Sequence, residues 1–121
     1  MNDIEKAIHA TINPIIDAHL LIGDIEASDN FAVYAVRRNP RRTKEGVIGY
    51  QGEILISVLN RVEDTVRTKS NEIITALEDL EGTTKEEIRF TIMQHQSYST
   101  DYSQDDDMYF SEIVFNYTTK I

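Results

Sequence analysis

The stretch from Gly49 to Leu80 constrains the chain most, because within it the apolar period changes from that of a strand to that of a helix. Over residues 50–59, Tyr50, Gly52, Ile54, Ile56 and Val58 share one face, and Gln51, Glu53, Leu55, Ser57 and Leu59 share the other. The first face is almost wholly apolar and the second is mixed, the pattern of a half-buried strand. Val62, Val66, Ile73, Leu77 and Leu80 then recur at helical spacing, with Ile74 and Ala76 widening the stripe. Asp64 or Thr65 can supply an N-cap oxygen to the first free amides of that helix.

The flanking segments fall into place around this pair. Residues 2–21 read as a helix with Ile4, Ile8, Ile12, Ile15, Ile16 and Leu20 on one stripe, capped by Asn2 or Asp3. Pro14 kinks that helix or splits it, because it removes one amide hydrogen and clashes with the preceding turn. Gly23 closes the segment, and residues 24–30 form a polar connector. A strand over residues 31–38 follows and is stopped by Asn39 and Pro40, with a basic loop over residues 41–46. A third strand spans about residues 87–98, with Ile88, Phe90 and Ile92 on one face. A polar loop over residues 97–107 leads to a fourth strand over about residues 108–118. The expected fold is a single α+β domain over residues 1–121. It has a four-stranded, mainly antiparallel sheet with two helices packed on it, in the order α-β-β-α-β-β.

At 121 residues and 40% hydrophobic, the chain can bury one modest two-layer core. It has no cysteine, which removes disulfides and thiolate chemistry. No apolar run approaches the roughly 20 residues of a membrane span, so no membrane partner is expected and manufacture inside the cell is the default.

The charge is uneven. Arg37, Arg38, Arg41, Arg42 and Lys44 place five positive charges within eight residues, and setting them aside takes the remainder from −9 to −14. So acidic a body repels nucleic acid generally, and no aromatic residue lies among the basic ones to stack on bases. The cluster suits an acidic protein surface, including a second copy, or else serves as a solvated hairpin tip. Asp101, Asp105, Asp106 and Asp107 form an acidic loop. Its three consecutive carboxylates point in different directions, and no glycine shapes a calcium turn, so a metal site is not expected. The loop faces solvent, or lines a passage for DNA if the protein forms a ring. His9, His19 and His95 lack zinc-ligand spacing. The serines near His95 lie in a polar loop with nothing rigid to hold a catalytic geometry. The chain reads as non-enzymatic, with no cofactor.

Three segments carry a family likeness: Phe31-Ala-Val-Tyr-Ala-Val-Arg-Arg-Asn-Pro40, Gly49-Tyr-Gln-Gly-Glu-Ile-Leu-Ile-Ser-Val58 and Asn71-Glu-Ile-Ile-Thr-Ala-Leu77. With the closing strand pair at Ile88 to Tyr117, they span about 90 residues. In this order of elements the chain resembles the tail-completion or tail-terminator (head–tail joining) proteins of long-tailed bacteriophages and prophages. The resemblance implies a structural virion protein made in the host bacterial cytoplasm. It would form a ring, commonly a hexamer, that ends the tail tube and joins it to the head connector. Its implied partners are further copies of itself, the tail tube protein and the connector protein, with DNA only passing through the channel. Arg37, Arg38, Arg41, Arg42 and Lys44 would then dock a neighbouring subunit or the tube, although so dense an arginine cluster is not a hallmark of the family. Two other classes fit the residues: a small adaptor binding a charged protein through residues 37–44, and a ligand-binding domain with a cavity between sheet and helices.

Overall fold

The computed structural model describes residues 2–20 and 30–121. The alternation of residues 50–59 and the helical repeat behind it become a long strand and a 16-residue helix. In chain order the elements are α1 (Asp3–Ile12), β1 (Ala18–Leu20), β2 (Asn30–Val36), β3 (Asn39–Thr43), β4 (Gly46–Asn60), α2 (Glu63–Glu78), β5 (Thr84–Lys85), β6 (Ile88–Ser103) and β7 (Met108–Lys120). The strands form one sheet in the order β1-β2-β4-β7-β6-β5, and β3 continues alongside β4 beyond the end of β2. β1 and β2 run parallel, and every other pair is antiparallel.

One face of the sheet carries the core. Ala32, Tyr34, Ile54, Ile56, Val58, Ile113, Phe115 and Tyr117 are buried there, at alternate positions on β2, β4 and β7. Ile4, Ala7, Ile8 and Ile12 from α1 and Val66, Ile73 and Leu77 from α2 close over them. Each large side chain so buried contributes roughly 1.5–3 kcal/mol relative to exposure. α1 starts with a capping box: the Asn2 side chain accepts the Glu5 amide at 2.8 Å and Glu5 accepts the Asn2 amide at 2.9 Å.

The structure corrects the expected four-stranded plan. Among the described residues there are seven strands in a mixed sheet, and each extra strand has a local cause. Pro14 neither kinks nor splits a long helix, because α1 ends at Ile12. The chain turns there, the Asn13 side chain accepts the Ala18 amide at 3.2 Å, and residues 18–20 pair in parallel with β2. Asn39 and Pro40 do not end pairing either: residues 39–43, expected as part of a loop, form β3 against β4. A proline that lacks its donor is tolerated on such an edge strand. Glu86 and Glu87, both at positive φ, make the turn that sets Thr84 and Lys85 against Arg89 and Ile88. The polar segment after residue 97 is strand as far as Ser103, so the loop between β6 and β7 shrinks to a turn.

Two finer expectations also change. Ile92 does not share the face of Phe90, since a bulge between them reverses the alternation. Met93 is buried in its place and Ile92 is 39% exposed. No side chain caps α2; Val62 occupies the cap position, and its amide is held instead by the Asn60 side chain at 2.7 Å. The expected Gly23 stop, and the connector up to Asp29, lie outside the described residues.

Candidate functional site

The basic cluster lies on a β-arm. Arg37 and Arg38 sit at the junction of β2 and β3, Arg41 and Arg42 on β3, and Lys44 in the turn to β4. Its base is seated by contacts that need small residues beneath it. A side chain at Gly52 would run into the Arg37 carbonyl, and one at Gly49 into the Thr119 carbonyl, so the glycines permit close backbone approach. Tyr117 donates its hydroxyl to the Arg37 carbonyl at 2.7 Å, and the Arg37 amide bonds the Glu53 carbonyl at 2.9 Å. Arg41 donates to the Thr119 carbonyl at 3.3 Å, and the Arg38 guanidinium lies over the Tyr50 ring, 4.7 Å from its centre.

The outer arm is free to act on something else. Arg42 and Lys44 are exposed and have no ion-pair or hydrogen-bond partner among the described residues. Arg37 has only an exposed ion pair with Glu53 at 3.9 Å, a contact of small value in water.

The acidic residues are placed at the other end of the same strands. Gln51 of β4 pairs with Thr118 of β7 near the arm, whereas Asn60 pairs with Tyr109 beside the β6–β7 turn. Arg42 pairs with Val47 of β4, and Phe110, opposite Asp101, pairs with Leu59, so 12 residues of β4 separate the arm's outer end from the acidic turn, on the order of 40 Å along an extended strand, while Arg37 at the arm's base lies beside Glu53. Asp101 lies on β6, and Asp105, Asp106 and Asp107 form the turn itself, all exposed. Asp107 accepts the Tyr102 hydroxyl and lies 3.8 Å from Arg61, while Asp106 accepts from Ser103 at 3.1 Å. The bond to Asp107 raises the Tyr102 pKa. These four carboxylates do not converge with one another, and among the described residues no group of three potential metal ligands does.

The histidines are occupied with neighbours. His9 lies 3.1 Å from the Tyr34 hydroxyl, His19 2.8 Å from Asp17, and His95 2.9 Å from the Ser97 carbonyl rather than from a serine hydroxyl. Burial pushes the Tyr34 and Tyr117 phenols up to about 12; nearby Glu5 adds to both, and Arg38 opposes the shift at Tyr117.

Two features escaped sequence reasoning. On the sheet face away from the helices, an open groove of ≈ 470 Å³ is lined by Val33, Ala35, Leu55, Ser57, Phe110 and Val114 among others. It is not the closed cavity between sheet and helices that a ligand-binding domain would show. The second is a serine cluster under α2. Buried Ser70 donates to Ser111 Oγ at 2.9 Å, Ser111 Oγ accepts the Val58 amide at 3.1 Å, and Ser57 donates to the Ser111 carbonyl at 2.6 Å. A serine at an inward position of β7 was the available signal. No helix among the described residues is long and apolar enough to cross a membrane.

No protein-family model and no curated protein sequence matches the chain. Solved structures do. A chain of the virion of a native gene transfer agent particle superposes with a TM-score of 0.67 at 13% identity, covering 94% of this chain and 84% of that one. A second solved structure gives a TM-score of 0.62 at 12% identity over 98% of this chain and 94% of its own. At these identities the likeness is one of fold.

Proposed function

We propose that the chain is a structural component of a phage-like virion, and within it the ring subunit that ends the tail tube and joins it to the head connector. The observation that carries this reading is the fold shared, over 94% of the chain, with a chain of a gene transfer agent virion particle. The finer role rests on the resemblance of residues 31–40, 49–58 and 71–77 to tail-completion proteins. The basic arm supports it as well: arginines and a lysine held out on a seated hairpin suit docking to an acidic neighbour, either another subunit or the tube. In this reading the protein acts by assembly, without catalysis or a cofactor, and its partners are its own copies, the tube protein and the connector. DNA passes through the channel without being gripped, as fits a body whose charge outside the arm is −14.

A particle-producing genome lacking this gene tests the role. It should yield filled heads and separate tubes of uncontrolled length. Joined particles with tails of normal length would overturn the reading. A small non-enzymatic adaptor, docking a charged protein through residues 37–44, would then account best for the exposed Arg42 and Lys44.

A further inference from the structure

The two edges of the sheet are treated differently. The β3 edge is guarded: it carries Arg41 and Arg42, contains Pro40 and bulges between the two arginines. Charge, proline and bulges are the usual means of stopping an edge from pairing with another chain. β6 is bulged too, between Phe90 and Ile92 and between His95 and Ser97, but has little other protection of this kind. From Thr91 to Ser103 it contains no lysine, arginine or proline, and Asp101 is its one formal charge. β5 covers only Ile88 and Arg89, and the Glu81 side chain takes the Met93 amide at 3.2 Å. Beyond that point no strand among the described residues pairs with its outer side. Gln94, His95, Gln96, Ser97, Ser99, Asp101 and Tyr102 are exposed along it. The bulge between His95 and Ser97 lies in the pairing with β7 and leaves the outer half, residues 97–103, as continuous strand.

Resting on the ring reading above, we infer that the outer half of β6, with Asp101 and Asp105 at its end, receives the basic arm of a second copy of this chain. The chemistry of the two surfaces matches. Of the groups an open strand edge presents, the carbonyl oxygens are acceptors, as are the carboxylates of the adjoining turn, while its free amides stay with solvent. Arginine and lysine side chains are donors only. Because its own edge is guarded, the arm docks through Arg42 and Lys44 rather than by adding a strand. The same copy cannot satisfy both surfaces, since they lie at opposite ends of β4. The contact is therefore head-to-tail between different patches, the kind that closes into a ring when the rotation allows.

A charge exchange tests this. One variant carries Arg42→Glu and Lys44→Glu, and the other Asp101→Lys and Asp105→Lys. All four residues are exposed, and matching thermal melts would establish that both variants fold. By sedimentation at low salt the wild type should assemble, each variant alone should remain monomeric, and an equimolar mixture should assemble again, because each reversed surface then meets its complement. Should either reversal unfold the chain, Arg42→Gln and Asp101→Asn serve instead, and each should weaken assembly. Assembly indifferent to both changes, or a mixture that stays monomeric, would overturn the docking and leave the ring reading standing. A wild type that stays monomeric at the highest soluble concentration would overturn both.

Discussion

Tyr117 links the core to the arm: its ring is buried under the helices and its hydroxyl holds the Arg37 carbonyl. Its pKa and that of Tyr34 are raised from 10.0 to about 12, by burial first. The folded state thus keeps its phenol protons where the unfolded chain has released them. The stability these groups contribute is full below pH 10 and is lost as pH rises through about 12. Denaturant titrations from pH 9 upward should show stability falling in that window, less steeply in Tyr34→Phe. An identical slope in the wild type and that variant would contradict the assignment. Beside Tyr117, a methyl group at Gly52 has no room against the Arg37 carbonyl. Gly52→Ala should cost about 1–3 kcal/mol, as overpacking does, and should speed exchange of the Arg37 amide. Urea unfolding and hydrogen exchange check the two effects.

At the scale of elements, the serine cluster marks a place where β4 and β7 part. Their pairing skips from Ile56 and Ile113 to Leu59 and Phe110, and the Val58 amide between them bonds the Ser111 side chain instead of a carbonyl. Ser111→Ala would strand that amide and the Ser70 hydroxyl, so a loss of about 1–3 kcal/mol is expected in thermal or urea unfolding. Ser70→Ala removes only a partner and should cost less. A neutral Ser111→Ala would show that the ladder closes without it. The inward positions of β4 and β7 and, except for exposed Val62, the apolar stripe of α2 were legible in the sequence, because long alternation and helical spacing are set by burial on one face. The missed elements lack that signal. β1 and β5 are too short to alternate, and β3 is an edge strand of arginines, asparagine, proline and threonine with no apolar face. The far end of β6 reads as a loop because Gln, Ser, Thr and Asp there face solvent, although β7 pairs with them throughout. The arm and the acidic residues could be named from charge alone. Their placement at opposite ends of one strand needed the register.

For the whole molecule, charge is separated along the sheet: the arm's cations run outward from beside Glu53, and exposed carboxylates lie past the far end of β4, on a chain of net charge −9. Contacts between exposed charges are screened over about 8–10 Å at physiological ionic strength. Self-association should therefore weaken steadily as salt is raised, while the melting temperature of the monomer changes little. Light scattering across a salt series, paired with thermal melts, checks this; association that strengthens with salt would point to the apolar groove instead. The most direct measurement is electron microscopy of the purified protein, concentrated at low salt. Closed rings of one subunit type with an open centre are expected. A field of monomers, or open filaments, under those conditions would contradict the ring reading.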